Sequence, residues 1–271
     1  MAGSKRYVGI QVPAASRVSI NDIDHSAWQQ LLSRYVDERG GVNYRAWHTS
    51  TGDVTLLDQY IEELSRASLT QSSTRGAQLA YFINAYNAVT VRGILQEYPT
   101  SSIRNHTAKV IGYNIWHDLL LQVDGRAMSL DSIEHKMLRK MQEPRIHFAI
   151  VCASISCPRL LNEAYTADRL EQQLTTNTRD FFAQPGNFRY DAGRKRFQLS
   201  AILDWFGSDF GANNAEVLRA IASYLPDAAS AAAARTGRGK VSYLDYDWGL
   251  NEAAKSAATG AGGSARRGAG G

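Results

Sequence analysis

A chain of 271 residues, 44% of them hydrophobic, can build one large core or two small ones, and its formal charge of +4 invites an anionic partner. The charge sits at the ends, however: residues 1–21 carry Lys5, Arg6 and Arg17 without an acid, residues 253–271 carry Lys255, Arg266 and Arg267 without an acid, and the body between is net negative at −2. A nucleic-acid binder needs its basic face on the folded domain, so that class is excluded. A membrane span is excluded as well, and residues 1–20 lack the apolar run of a secretory signal.

In chain order, residues 1–21 read as an irregular segment, 22–252 as a single globular domain, and the low-complexity stretch 253–271 as a disordered tail, since it has no large apolar side chain to offset ordering entropy. Trp28, Leu31, Leu32, Tyr35 and Val36 repeat at helical spacing, with Asn21, Asp22 or Asp24 as cap and Gly40-Gly41 as stop. Leu56, Leu57, Tyr60, Ile61 and Leu64 mark a second amphipathic helix. Leu79–Leu95 is apolar on nearly every side, which predicts a central buried helix closed at Tyr98-Pro99, with Asn84 and Asn87 on one face of it.

Asp124-Gly125 predicts a tight hairpin turn between Leu119 and Met128, and Ser129 caps a helix that carries Leu130, Ile133, Met137, Leu138 and Met141, as well as Glu134 and His135. Ile146–Val151 predicts a buried strand, followed by a short loop that delivers Cys157 to the N-cap of a helix beginning at Pro158. Farther on come a helix over Leu170–Phe182, a hairpin over Phe188–Leu199, a helix over Val217–Leu225 and a last strand near Val241–Leu244. Helices outnumber strands, so the expected fold is α+β: a helix-rich single domain around a small antiparallel or mixed sheet.

Reactive chemistry concentrates in HFAIVCASISCP, His147 to Pro158, which holds both cysteines. A thiol at a helix start meets the positive end of the dipole and unpaired N–H groups, so Cys157 is the expected nucleophile, with those N–H groups as oxyanion donors. Cys152, on the strand face of Ile146, Phe148 and Ile150, reads as a small buried hydrophobe. A disulfide between the two would close a very small loop, against the geometry of an extended strand. His135 is the expected base and then acid, with Asn84 or Glu134 orienting it, as amides do in thiol proteases that use Cys-His-Asn. Asn87, His147 and Ser156 are expected to bind substrate. Cys152 and Cys157 with His135 and His147 match no usual zinc spacing, so neither a metal nor another cofactor is expected.

Several separated motifs, YFINAYNAVTV, YPTSSI, SLDSIEHKMLR, PRIHFAIVCASISCPRL, AILDWFGSDFG and YLDYDWGLN, with an early Gly41-Val42-Asn43-Tyr44, resemble in order the hallmarks of the domain of unknown function 547 family. The resemblance covers roughly residues 25 to 250 and implies that Asn84, Asn87, Glu134, His135, His147 and Cys157 fall in signature motifs, with Cys152 where many relatives have cysteine. It supplies no activity. Bacterial members are often exported and plant members carry extra coiled-coil regions, and this chain has neither a recognisable signal nor a long coiled coil.

The expected function is a cysteine-dependent hydrolase or acyltransferase acting on an amide or thioester, with a papain-like or transglutaminase-like site in permuted chain order, since both histidines precede Cys157. A non-catalytic binding or scaffold domain with a structural Cys/His/Asn core is the alternative, and a metal-binding domain the second. The expected partner is a small-molecule or peptide substrate. Oligomeric state is left open; the compartment is periplasmic or secreted if an export signal has been removed, and cytoplasmic otherwise.

Overall fold

The computed structural model describes residues 5–108 and 112–253, so the tail expected at 253–271 falls, beyond Ala253, outside the described residues. The N-terminal segment is more regular than expected: it supplies β1 (Arg6–Val8) and β2 (Val18–Ser19). Strands of three and two residues give too short an alternation to leave a sequence signal.

Helix α1 (Ser26–Tyr35) buries Trp28, Leu31, Leu32 and Tyr35, and Asp24 fixes its start by accepting from the N–H and hydroxyl of Ser26 at 2.8 and 2.7 Å. Gly40, at φ +82°, reverses the chain, and Asn43 caps α2 (Tyr44–Thr49) by accepting from Ala46 N–H. Helix α3 (Thr51–Ser65) turns Leu57, Tyr60, Ile61 and Leu64 inward, and β3 (Ala67–Ser68) pairs in parallel with β2. The central helix is α4 (Arg75–Glu97), capped by Thr74 and buried on nearly every side from Leu79 to Leu95, as its composition predicts.

A short α5 (Ile115–Asp118) leads into the hairpin of β4 (Leu119–Val123) and β5 (Arg126–Ser129). Asp124 at φ +51° and Gly125 at φ +71° form its turn, the two positive φ angles that a two-residue type I′ loop demands. Strand β1 adds in parallel to the free side of β4. Ser129 then accepts from Ser132 N–H and opens α6 (Leu130–Ser132), which widens into a π-helix over Ile133–Leu138 and tightens to a 3-10 turn over Arg139–Met141. Such wide turns recur where a functional side chain must be re-aimed; this one carries Glu134 and His135.

The rest of the chain forms α7 (Leu170–Ala183), the hairpin of β6 (Phe188–Asp191) and β7 (Arg196–Leu199), then α8 (Ile202–Trp205), α9 (Asn214–Ile221), α10 (Ala228–Arg235) and β8 (Lys240–Tyr243), which lies parallel to β7. The fold is α+β and helix-rich, with three small sheets among the described residues in place of the one expected. Two hydrophobic clusters adjoin: a larger one built on α1, α3 and α4, and a smaller one uniting Phe148, Phe181, Phe182, Phe188 and Phe197 with the inner face of α9. Tyr246 packs against both.

Two expectations around the cysteines fail. Ile146–Val151 is not a strand: Pro144–Phe148 is a 3-10 turn and the chain beyond it is irregular. Nor does a helix begin at Pro158, because the next helix is α7 at Leu170, so Cys157 has no helix dipole and no helical N–H groups before it.

Candidate active site

A buried irregular segment must still satisfy its backbone polar groups, and here side-chain amides perform the task of a neighbouring strand. Asn87 of α4 donates to Ala149 C=O at 3.0 Å and accepts from Val151 N–H at 2.9 Å. Asn84, one turn earlier, does the same for Tyr165, donating to its C=O at 2.8 Å and accepting from its N–H at 3.0 Å. From the other side Asn177 of α7 donates to Phe148 C=O and Arg159 C=O, and Gln173 donates to Ala164 C=O. The loop tip is closed by the C-terminal segment: Ile155 N–H donates to Gly249 C=O, Ser156 N–H to Asp247 C=O, and Asn251 N–H to Ala153 C=O.

Within this frame Ala153 takes φ +56°, a left-handed conformation that a non-glycine residue adopts at a cost, and the chain folds back on itself. The reversal brings Cys157 Sγ to 3.0 Å from Cys152 N–H. The phenol of Tyr246 donates to the same sulfur at 3.1 Å, and its oxygen also lies 3.2 Å from Cys152 Sγ and 2.9 Å from Ser154 Oγ. Ser154 Oγ is in turn 3.2 Å from Cys152 Sγ. Both cysteines are free thiols.

The environment divides the two sulfurs. Burial works against a Cys157 thiolate, but hydrogen bonds from the Cys152 and Ser154 side chains, from Tyr246 and from Cys152 N–H outweigh it and hold the thiol below its ordinary range. The hydrogen bond that Cys152 gives to Cys157, reinforced by burial, holds the Cys152 thiol well above that range. The two thiols therefore titrate as a pair, with Cys157 the more readily ionised.

Both sulfurs line a cavity of about 310 Å³ at the seam of the two hydrophobic clusters. Its walls are Tyr86, Trp116, Trp205, Phe206, Tyr246 and Trp248, with Trp205 stacked on Trp248 and Tyr246 wedged against both. Glu134, Asp131, His117, His135 and His147 add ionisable groups to its lining beside the thiols. Burial raises the Glu134 carboxyl to about 7, with Arg139 opposing and the negative Asp131 and Cys157 adding.

Behind Phe206 lies a charged cluster. Arg139 grips Asp209 with two bonds of 2.7 Å, and His147 Nε2 donates to Asp209 at 2.8 Å. Arg139 holds the Asp209 carboxyl down at about 2, while burial lowers the His147 pKa against the pull of Asp209. The His147 ring stacks on Phe206 at 4.3 Å between centroids. Arg139 Nη1 also points at His135 Nδ1 at 3.0 Å. A guanidinium can only donate, so Nδ1 is the acceptor and Nε2 carries the proton.

Residues 70–182 match the family model described as protein of unknown function, DUF547. That stretch belongs to the DUF547 family. It holds the asparagine helix, the π-turn and the cysteine loop, whereas Asp209, Tyr246 and Trp248 lie beyond the matched DUF547 residues. The chain finds no match among curated proteins, and none among solved structures.

Cys157, His135, Glu134 and His147 are brought to one cavity, as is Cys152, which is half-buried there and not a plain core residue. Neither histidine hydrogen-bonds Cys157, and the lone pair of His135 Nδ1 is already taken by Arg139, so the expected Cys157–His135 pair does not form. Asn84 is spent on Tyr165 and Asn87 on the segment leading to Cys152, so both position backbone and line no part of the cavity. Ser156 accepts from Asp247 N–H at 2.9 Å and lines a second pocket that meets the cavity at Cys157 and Pro158. The four residues that the metal alternative requires form no ligand cluster among the described residues.

Sequence reading missed Tyr246, Ser154 and Asp209. All three stand in motifs it singled out, PRIHFAIVCASISCPRL, YLDYDWGLN and AILDWFGSDFG. Only the folding of these distant segments onto the loop gives them a role.

Proposed function

We propose that the cavity carries out thiol-dependent acyl transfer, as a hydrolase or acyltransferase on an amide or thioester, in a papain-like or transglutaminase-like manner reached by a different chain order. The observation that carries the reading is the pair of donors, Cys152 N–H and Tyr246 O–H, aimed at Cys157 Sγ inside an aromatic pocket. An inert structural cysteine has no use for two donors on its sulfur, and the scaffold alternative leaves them unexplained.

In this reading the Cys157 thiolate attacks the carbonyl carbon, the C–S bond forms and the carbonyl π pair moves to oxygen. Collapse expels the amine or thiol, to which Glu134 gives its proton. Water or an acceptor then attacks the Cys157 thioester while Glu134 takes the proton back, and the thiolate leaves. A carboxyl near 7 is matched to both directions of transfer at neutral pH. Glu134 thus takes the acid–base part expected of His135, while His147 is held through Nε2 by Asp209 in the cavity lining. The aromatic walls favour a flat or apolar acyl group.

The test is incubation of the reduced chain with aryl thioester and activated amide probes, followed by intact mass. An acyl adduct on the wild type that is absent from Cys157→Ser, and that persists longer in Glu134→Gln, supports the reading. No adduct, together with a Cys157 that resists iodoacetamide at neutral pH, leaves the scaffold alternative standing.

A further inference from the structure

Acyl transfer gives Cys152 no step of its own, yet the fold spends a left-handed alanine to set its sulfur beside the nucleophile. We infer that Cys152 and Cys157 form a redox couple in which a hydroperoxide oxidises Cys157 and Cys152 resolves the product to a reversible intrachain disulfide that switches the site off.

The geometry carries this. Cys157 Sγ is in hydrogen-bond contact with the backbone N–H of Cys152, and one phenol oxygen, that of Tyr246, touches both sulfurs at 3.1 and 3.2 Å. An extended strand would have held residues 152 and 157 apart; the turn at Ala153 removes that obstacle. Both sulfurs line the same cavity, so a small oxidant that reaches Cys157 has the resolving thiol beside it. The thiolate character of Cys157 suits the attack on the peroxide, and the Cys152 thiol gives up its proton to the departing hydroxide as it attacks.

The steps balance. The Cys157 thiolate attacks the distal oxygen of the hydroperoxide; the S–O bond forms, the O–O bond breaks, and the alkoxide or hydroxide leaves to take up a proton. Sulfur has lost two electrons and the peroxide has gained them. Cys152 sulfur then attacks Cys157 sulfur, the S–S bond forms, the S–O bond breaks, and hydroxide departs as water with the Cys152 proton. A dithiol reductant reverses the result.

This inference shares with the acyl-transfer reading only the Cys157 thiolate, and one experiment separates them. The reduced full chain is treated with stoichiometric hydrogen peroxide or cumene hydroperoxide, quenched with iodoacetamide and analysed by peptide mass. The expected result is a wild-type peptide holding both cysteines that has lost two hydrogens and takes no alkyl group, with alkylation restored by dithiothreitol. In Cys152→Ser the expected product is a Cys157 sulfenic acid trapped by dimedone, advancing to sulfinic acid that dithiothreitol does not recover. Wild-type protein that goes to sulfinic acid without an intrachain disulfide, or links only between chains, overturns the couple. If Cys157 accepts acyl probes and iodoacetamide but never links to Cys152, the redox inference falls alone; if the reduced thiol is inert to every reagent, both readings fall.

Discussion

Removing one hydroxyl tests the arming of Cys157 directly. Tyr246→Phe keeps the ring, which is packed on Trp205 and Trp248 at 4.9 and 4.5 Å, and deletes the donor that lies 3.1 Å from Cys157 Sγ. A hydrogen bond to a charged group contributes about 1.5–3 kcal/mol, and sulfur as a diffuse acceptor belongs at the low end. Since about 1.4 kcal/mol corresponds to one pH unit, the Cys157 midpoint rises by about one. Iodoacetamide alkylation followed from about pH 5 to about pH 9 reads this directly. Below both midpoints the variant should react about tenfold more slowly, and above both it should match or slightly exceed the wild type, because a more basic thiolate is the better nucleophile. A midpoint that does not move, or a deficit that persists at high pH, would refute the claim that Tyr246 stabilises the thiolate.

Asn87→Ala strands Ala149 C=O and Val151 N–H in the core, a loss of about 2–5 kcal/mol that should lower the thermal midpoint by about 5–15 °C in calorimetry. Glu134→Gln should stabilise the protein in alkali. The folded carboxyl titrates near 7 and its ordinary value is 4.5, so the wild type loses stability as pH climbs between those values, up to about 3 kcal/mol above the upper one. Urea unfolding should therefore show the variant ahead at alkaline pH and the two equal below about pH 4; a constant gap would contradict it. Ala153→Val puts a β-branched residue at φ +56° in a buried turn and should lower the unfolding free energy measured in urea by more than about 1 kcal/mol, whereas Ala153→Gly should be near neutral.

What the sequence discloses is what local chemistry decides. The Asp124-Gly125 turn, the cap at Ser129 and the apolar length of α4 are all legible because each depends on neighbours in the chain. The Ile146–Val151 run misleads for a specific reason: an apolar stretch buried on all sides looks the same whether its backbone bonds go to a strand or to the amides of Asn87 and Asn177. Pro158 misleads as well, because proline suits a helix start and a loop equally. Cys157 and Glu134 could be singled out by residue type, but the donor on the thiol could not, since Tyr246 lies 89 residues further along.

That separation has a consequence for the life of the chain. In a partly folded molecule, with the segment around Tyr246 undocked, Cys157 is an ordinary thiol with one donor fewer. On the proposed function, the thiolate-stabilising arrangement exists only once distant pieces have closed over the loop, so the fold would act as a safety catch that keeps Cys157 quiet until its pocket surrounds it. Partial unfolding would disarm the thiol before it exposed it to the wrong target, and alkylation rate becomes a gauge of whether that one tyrosine is seated.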